Sequence, residues 1–276
     1  MGQAPKCFLG VNGMKANVKV MANFRVKENY YLMELQRPEV AKNARAGQFI
    51  HARCKDSKDP LLRRPFSIYS LDSDKGRIKI LYEIKGMGTE LLSKYKEGDF
   101  LDIMAPLGNG FNLEGNISSA ILVGGGIGGA PLMALAESLK GRGINRIYFL
   151  VGAQSKDKLI PTVDFESLGV NVITATDDGS EGHRGYITDL LPMKLKESSE
   201  GCTVFACGPR PMLKAVAQIC ARKNIPCQLS LEEIISCGVG ACQGCVCKVK
   251  DNDTETYHRV CLEGPVFDSG EVVWDV

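Results

Sequence analysis

The 276-residue sequence balances 34 Lys and Arg against 32 Asp and Glu, for a formal charge of +2, and 44% of it is hydrophobic. That length suits about two domains with a sizeable core, and so small a net charge gives no field favouring nucleic acid or a membrane surface. Eleven cysteines with no secretory pattern at Met1–Phe8, and no apolar run of membrane-spanning length, point to a reducing cytoplasm rather than a disulfide framework. Gly2 is followed by Lys6 where a myristoylation motif wants Ser or Thr.

Residues 1–14 read as an N-terminal extension. Over 15–112, short apolar runs alternate with Gly, Pro and charged turns. Strands are predicted at Val18–Val26, Tyr30–Leu35, Phe49–Arg53, Phe66–Ser70, Ile78–Ile84 and Phe100–Met104, with one helix at Thr89–Tyr95. Runs this short, with so many turns, predict a small antiparallel β-barrel. Arg63-Arg64-Pro65-Phe66-Ser67 closes a charged turn and opens a strand. A fixed guanidinium there could grip a pyrophosphate, and Phe66 and Ser67 could meet a flat ring, although such a run also reads as a solvated turn. Gly86-Met87-Gly88-Thr89 leads into the short helix and offers a second anion position.

From 113 to 231 the pattern changes. Strands at Ala120–Val123, Ile147–Val151, Val170–Ala175, Thr203–Ala206 and Cys227–Leu231 alternate with helices at Pro131–Lys140 and Pro211–Arg222. This predicts a parallel sheet wrapped by helices, so the fold class is mixed α/β. Gly124-Gly125-Gly126-Ile127-Gly128-Gly129-Ala130-Pro131 runs from the first of these strands into its helix. Its glycines suit a sharp turn close to a phosphate, with Pro131 at the first helical turn, although a tight structural turn would look the same.

Residues 232–276 form a cysteine module. Cys237, Cys242 and Cys245 stand as C-x4-C-x2-C with Cys261 downstream, the plant-type ligand spacing of a [2Fe–2S] cluster. Gly238, Gly240, Ala241 and Gly244 leave room for backbone N–H groups near the sulfides, and a returning strand is expected to carry Cys261. A zinc site on Cys242 and Cys245 would want a second short pair, which is missing. Cys247 starts a predicted strand, Val246–Lys250, and is left outside the ligand set as a small buried hydrophobe. His51, His183 and His258 are dispersed and read as packing or surface residues.

The order R-P-F-S, G-T at a helix start, Pro106–Phe111 (P-L-G-N-G-F), G-G-G-I-G-G-A-P and Cys207-Gly208-Pro209 resembles the ferredoxin–NADP reductase superfamily. With the cysteine module, including Cys261-Leu-Glu-Gly-Pro-Val-Phe267, the chain resembles the electron-transfer subunits of NAD-linked (class 1B) dihydroorotate dehydrogenases over nearly its whole length. The resemblance implies FAD held by Arg64, Pro65, Phe66, Ser67, Leu81, Tyr82, Glu83, Gly88 and Thr89. It implies nicotinamide nucleotide against Gly125, Gly126, Gly128, Gly129 and Gly208, with Cys207 beside the hydride path, and the cluster on Cys237, Cys242, Cys245 and Cys261. Asp177–Ser180 and Gly185–Thr188 also match the family, though the acidic pair could be a solvated turn. Two positions depart from its pattern: Phe66 stands where tyrosine is usual, and Glu263 where aspartate is. The implied partner is an FMN-containing dihydroorotate dehydrogenase catalytic subunit in a two-plus-two heterotetramer serving pyrimidine biosynthesis. The runner-up is the small subunit of an NADH-dependent ferredoxin:NADP oxidoreductase or sulfide dehydrogenase. NAD rather than NADP follows from Gly152-Ala153-Gln154, which lacks an arginine for a 2′-phosphate, although Lys156 and Lys158 could serve.

Overall fold

The computed structural model describes residues 15–57, 59–198, 200–251 and 254–274, so the expected extension over 1–14 lies outside the described residues. The N-terminal region is an antiparallel sheet of seven strands: β1 (Lys15–Lys27), β2 (Tyr30–Gln36), β3 (Phe49–Ala52), β4 (Arg64–Ser67), β5 (Ser70–Asp72), β6 (Arg77–Glu83) and β7 (Phe100–Leu107). Their order is β4-β3-β7-β1-β2-β6-β5. The two outer strands are consecutive in the chain, which was expected to run straight from Phe66 to Ser70. It bends at Ile68–Tyr69 instead, where Ile68 N donates to Gln48 O (3.0 Å) and Tyr69 N to Lys79 O (2.8 Å), and this bend closes the barrel. Alternate residues of these strands, among them Val18, Met33, Leu35, Ile50, Ile78 and Ile80, fill the interior.

Two helices serve the barrel rather than one. Helix α1 (Pro38–Asn43) has Pro at its first turn, Glu39 early and Lys42 late, and buries Val40 and Ala41. It is too short for its apolar spacing to show in the sequence. Helix α2 spans Met87–Leu92, two residues earlier than expected, because Gly86 opens it and Thr89 Oγ1 accepts from Lys85 N (3.0 Å) and Gly86 N (3.3 Å).

The second sheet holds β8 (Ser119–Gly125), β9 (Arg146–Ala153), β10 (Asn171–Thr176), β11 (His183–Arg184), β12 (Cys202–Cys207), β13 (Cys227–Ser230) and β16 (Val266–Asp268). The order is β11-β10-β9-β8-β12-β13-β16, parallel except that β16 runs antiparallel to β13. Chain direction splits at β8, with β9 on one side and β12 on the other, so a crevice opens at the carboxyl ends of β8 and β12. Helices α3 (Pro131–Gly141) and α6 (Arg210–Lys223) match expectation, while α4 (Val163–Ser167) and α5 (Leu191–Glu197) are short helices that the sequence pattern missed. The cysteine module adds the hairpin β14 (Val246–Asp251) and β15 (Thr254–Arg259). Cys261 sits in the turn after β15 and not on a strand.

Candidate functional site

Three neighbourhoods matter. The first is at β4 and α2. Arg63 and Arg64 are adjacent in sequence but differ in availability. Arg63 is tied down: Nη2 donates to Asp102 Oδ2 (2.6 Å), and Nη1 donates to Asp102 O (3.0 Å) and His51 O (3.3 Å). Arg64 Nη1 donates only to turn carbonyls, Leu62 O (2.8 Å) and Arg63 O (3.3 Å), and has no carboxylate partner among the described residues. Its Nε lies beside Gly88, where an added Cβ would come within 3.4 Å. A half-buried, unneutralised guanidinium thus meets the start of α2, as an anionic diphosphate would need. Phe66 does not offer its ring outward as expected. It shares the inward face of β4 and packs edge-on against Tyr82, centroids 5.8 Å apart, inside the barrel. Tyr82 is buried and its hydroxyl donates to Asn23 Oδ1 (2.9 Å). Leu81 faces the other way, packing with Tyr30 and Tyr69 against the helices of the second sheet.

The second neighbourhood is a cleft of about 940 Å³ at the carboxyl ends of β8 and β12. Gly125, Gly126, Gly128 and Gly208, the residues the resemblance assigns to the nicotinamide nucleotide, line it. Close approach requires the glycine at 128: a Cβ there would stand 2.6 Å from Gly208 Cα. Gly129 does not line the cleft. It is buried against Ile160 and Phe149, so its lack of a side chain serves helix–sheet packing. Cys207 ends β12 just behind Gly208 and is also out of the cleft; burial pushes its thiol up to about 12 against the opposing bond to Ser230. Glu83 lines this cleft and is ion-paired with Lys85 (3.2 Å) and Lys158 (3.3 Å). Asp177, Tyr186 and Thr188, of the segments matched by resemblance, form another wall. Tyr30 and Glu232 line the cleft as well and carried no sequence signal. Tyr30 Oη donates to Lys158 O (2.8 Å), and Lys27 Nζ to Leu159 O (2.9 Å), so β1 and β2 of the barrel grip the 156–159 loop.

The third neighbourhood is the cysteine loop. Its four thiols associate two by two. Cys237 Sγ faces Cys242 and accepts from the N–H groups of Val239 and Cys242, both at 3.5 Å. Cys261 Sγ faces Cys245 and accepts from Gly240 N (3.2 Å), while Cys245 Sγ accepts from Cys261 N (3.4 Å). Burial works to raise the Cys237 thiol, but those N–H donors outweigh it and hold it at about 7. At Cys261 burial and the neighbouring Cys245 push the thiol up to about 12. Among the described residues no three Cys, His or carboxylate groups surround one point as a single zinc would need. Two thiol pairs with N–H groups aimed at sulfur suit two irons taking two thiolates each. Cys247 lies on β14 opposite His258, and burial pushes its thiol up to about 11. Glu263 braces the Cys261 turn: Oε2 accepts from Arg259 N (2.8 Å) and Nε (3.0 Å), and Arg259 Nη1 donates to Gly240 O (3.1 Å).

The comparisons follow this division. Residues 17–111 match an oxidoreductase FAD-binding domain, 122–218 an oxidoreductase NAD-binding domain, and 232–273 the iron-sulfur cluster binding domain of dihydroorotate dehydrogenase B. A solved structure concerned with flavin-based electron bifurcation, an NADH-dependent reduced ferredoxin-NADP oxidoreductase, superposes with a TM-score of 0.81 at 31% identity, covering 94% of this chain and 91% of that one. The dihydroorotate dehydrogenase B (NAD(+)) electron transfer subunit of Desulforamulus reducens is 39% identical over 94% of this chain and 98% of its own. That of Bacillus caldolyticus is 43% identical over 90% and 94%. Similarity of this depth along nearly the full length of both relatives makes the chain a member of the family of electron transfer subunits of NAD-linked dihydroorotate dehydrogenase B.

Proposed function

We propose that this chain is the NAD-linked electron-transfer half of a cytoplasmic dihydroorotate dehydrogenase, working with an FMN-containing catalytic subunit in a two-plus-two assembly. One observation carries the reading: a nucleotide cleft, an unneutralised arginine on a flavin-type barrel and a paired four-thiol loop lie in one chain, and Cys242 at the loop's rim is exposed. When bound, FAD exchanges electron pairs with nicotinamide and the cluster passes single electrons, which no side chain here could do. The residues bind and orient. Arg64 and the start of α2 hold the flavin diphosphate, Gly125, Gly126, Gly128 and Gly208 let the nicotinamide nucleotide close on the backbone, and the four thiols hold iron. The Glu83 ion pairs and the Tyr30–Lys158 bond keep the cleft's two walls in register. Asp177, an acidic residue on the cleft wall, favours a ribose hydroxyl over a 2′-phosphate.

Isolated, reconstituted protein should reduce one-electron dyes with NADH but leave dihydroorotate untouched. Adding the catalytic subunit should create dihydroorotate:NAD+ activity. Cys242→Ser should abolish that activity and the bound iron while sparing FAD and part of the dye reduction, and Cys247→Ser should change neither. Turnover of dihydroorotate by the chain alone, or full iron content in Cys242→Ser, would refute the assignment. The bifurcating oxidoreductase is the second reading because of its close superposition; ferredoxin-dependent NADP+ reduction by the complex would favour it.

A further inference from the structure

His51, on β3, is fully buried at 0% exposure, yet neither Nδ1 nor Nε2 has a well-formed hydrogen bond among the described residues. A buried polar group left in this state is costly, and an apolar ring would fill the same space without that cost. The surroundings explain why a histidine stands there. On one side β3 pairs His51 with Pro65 of the strand that carries Arg64. On the other the ring lies against the cysteine loop. A Cβ on Gly238, the residue after Cys237, would come 2.7 Å from Nδ1, and Gly238 has φ +73°. The backbone acceptors facing the ring belong to Arg63 and Ile235, within electrostatic reach though outside hydrogen-bond geometry. One belongs to the flavin-side turn and the other leads into the cluster loop.

We propose that His51 is a positioning residue that seats the cluster-bearing loop on the flavin barrel, its buried ring packed between β3 and the Gly238 backbone across the seam. A neutral imidazole has a single N–H, which faces the Arg63 or the Ile235 carbonyl, so the ring holds the loop by contact and by polarity. The Cys237–Gly238 backbone thereby keeps a fixed place against β3, and the N–H groups of the loop stay aimed at the thiolates, whose hydrogen bonding tunes a cluster's potential. This inference rests on the cluster reading above.

The test uses the reconstituted full chain. His51→Phe keeps the ring and removes the N–H. It should retain FAD and its reduction by NADH, but shift the cluster's one-electron equilibrium about tenfold, or ~59 mV, in an EPR-monitored titration. It should also release iron to a chelator faster. His51→Gln, with an amide donor, should return both readouts toward wild type. Wild-type potential and iron release in His51→Phe would overturn the proposal and leave the ring as filler. Should His51→Phe not fold, the contact itself can be probed. Gly238→Ala should release iron faster, and His51→Ala combined with Gly238→Ala should partly reverse this by making room. Strict additivity of the two changes would also overturn the proposal. If wild-type protein binds no iron and sulfide on reconstitution, the cluster reading fails instead, independently of His51.

Discussion

Two neighbouring arginines show how little a residue's identity says without its partners. Arg63 is neutralised by Asp102 and tied to two backbone carbonyls, so it braces β3, β4 and β7, whereas Arg64 keeps its charge available. Arg64→Ala should therefore weaken FAD binding by about ten- to a hundredfold, the loss of a charge-assisted bond worth roughly 1.5–3 kcal/mol. Arg63→Ala should leave FAD affinity near wild type but lower the melting temperature, because Asp102 is left half-buried without its closest cation. Flavin retention after dialysis, set against thermal unfolding, separates the two. Equal flavin loss in both variants would contradict the division.

At the scale of elements, the barrel and the second sheet are joined by polar contacts between helices and strand ends. Ser70 Oγ on β5 donates to Glu137 Oε1 on α3 (2.7 Å), and Tyr69 Oη donates to Asp164 Oδ2 on α4 (2.7 Å). Burial raises the Glu137 carboxyl above its ordinary 4.5, against the opposing Ser70 bond. A folded pKa above the unfolded one means that the folded state holds this proton more tightly, so Glu137's contribution is most favourable in acid. It declines as pH rises past the unfolded value. Glu137→Gln keeps an acceptor for Ser70 and removes the buried charge. Its melting temperature should match wild type well below pH 4.5, exceed it as pH rises through the raised folded value, and hold that excess to pH 7.5. A constant difference across that range would show that the carboxylate's ionisation is not what costs stability.

Across the whole molecule, the cysteine module is not an appendage on a tether. Its strand β16 extends the nucleotide sheet beside β13, Asn109 N donates to Gly264 O (2.6 Å), and its loop lies on the barrel through His51. Cys242 is exposed, and Ile234, three residues before Cys237, is 81% exposed. These two residues make the loop the place to test for docking of a partner. Ile234→Asp should weaken assembly with the catalytic subunit at least tenfold while leaving NADH-dependent dye reduction intact. Unchanged co-purification would place the partner elsewhere. None of the described helices is long and apolar enough to cross a membrane.

Much of this was legible along the chain, because some of the chemistry is local. Cysteine spacing specifies thiolate ligands within one loop, glycines at a strand–helix junction permit a close-approach turn, and alternation of strand and helix runs prescribes a parallel sheet. Those features depend on residues a few positions apart, and the structure forms the parallel sheet and brings the four thiols together in two pairs. The bend at Ile68–Tyr69, which turns an apparent single strand into a barrel closure, was not legible: it is set by pairing with Gln48 and Lys79. Nor was the inward rotation of Phe66, decided by which face of β4 meets Tyr82, or the packing role of Gly129 against Phe149. Nor was the place of Glu83 on the cleft wall, where Lys158, distant in sequence, reaches it. His51 read as a dispersed histidine, and only the fold lays Gly238 against it. By itself, then, the sequence determined which groups this protein can carry, since ligand spacing and turn chemistry are short-range. The tertiary structure decided which side chains face those groups, because burial, pairing and facing depend on contacts between segments far apart in the chain.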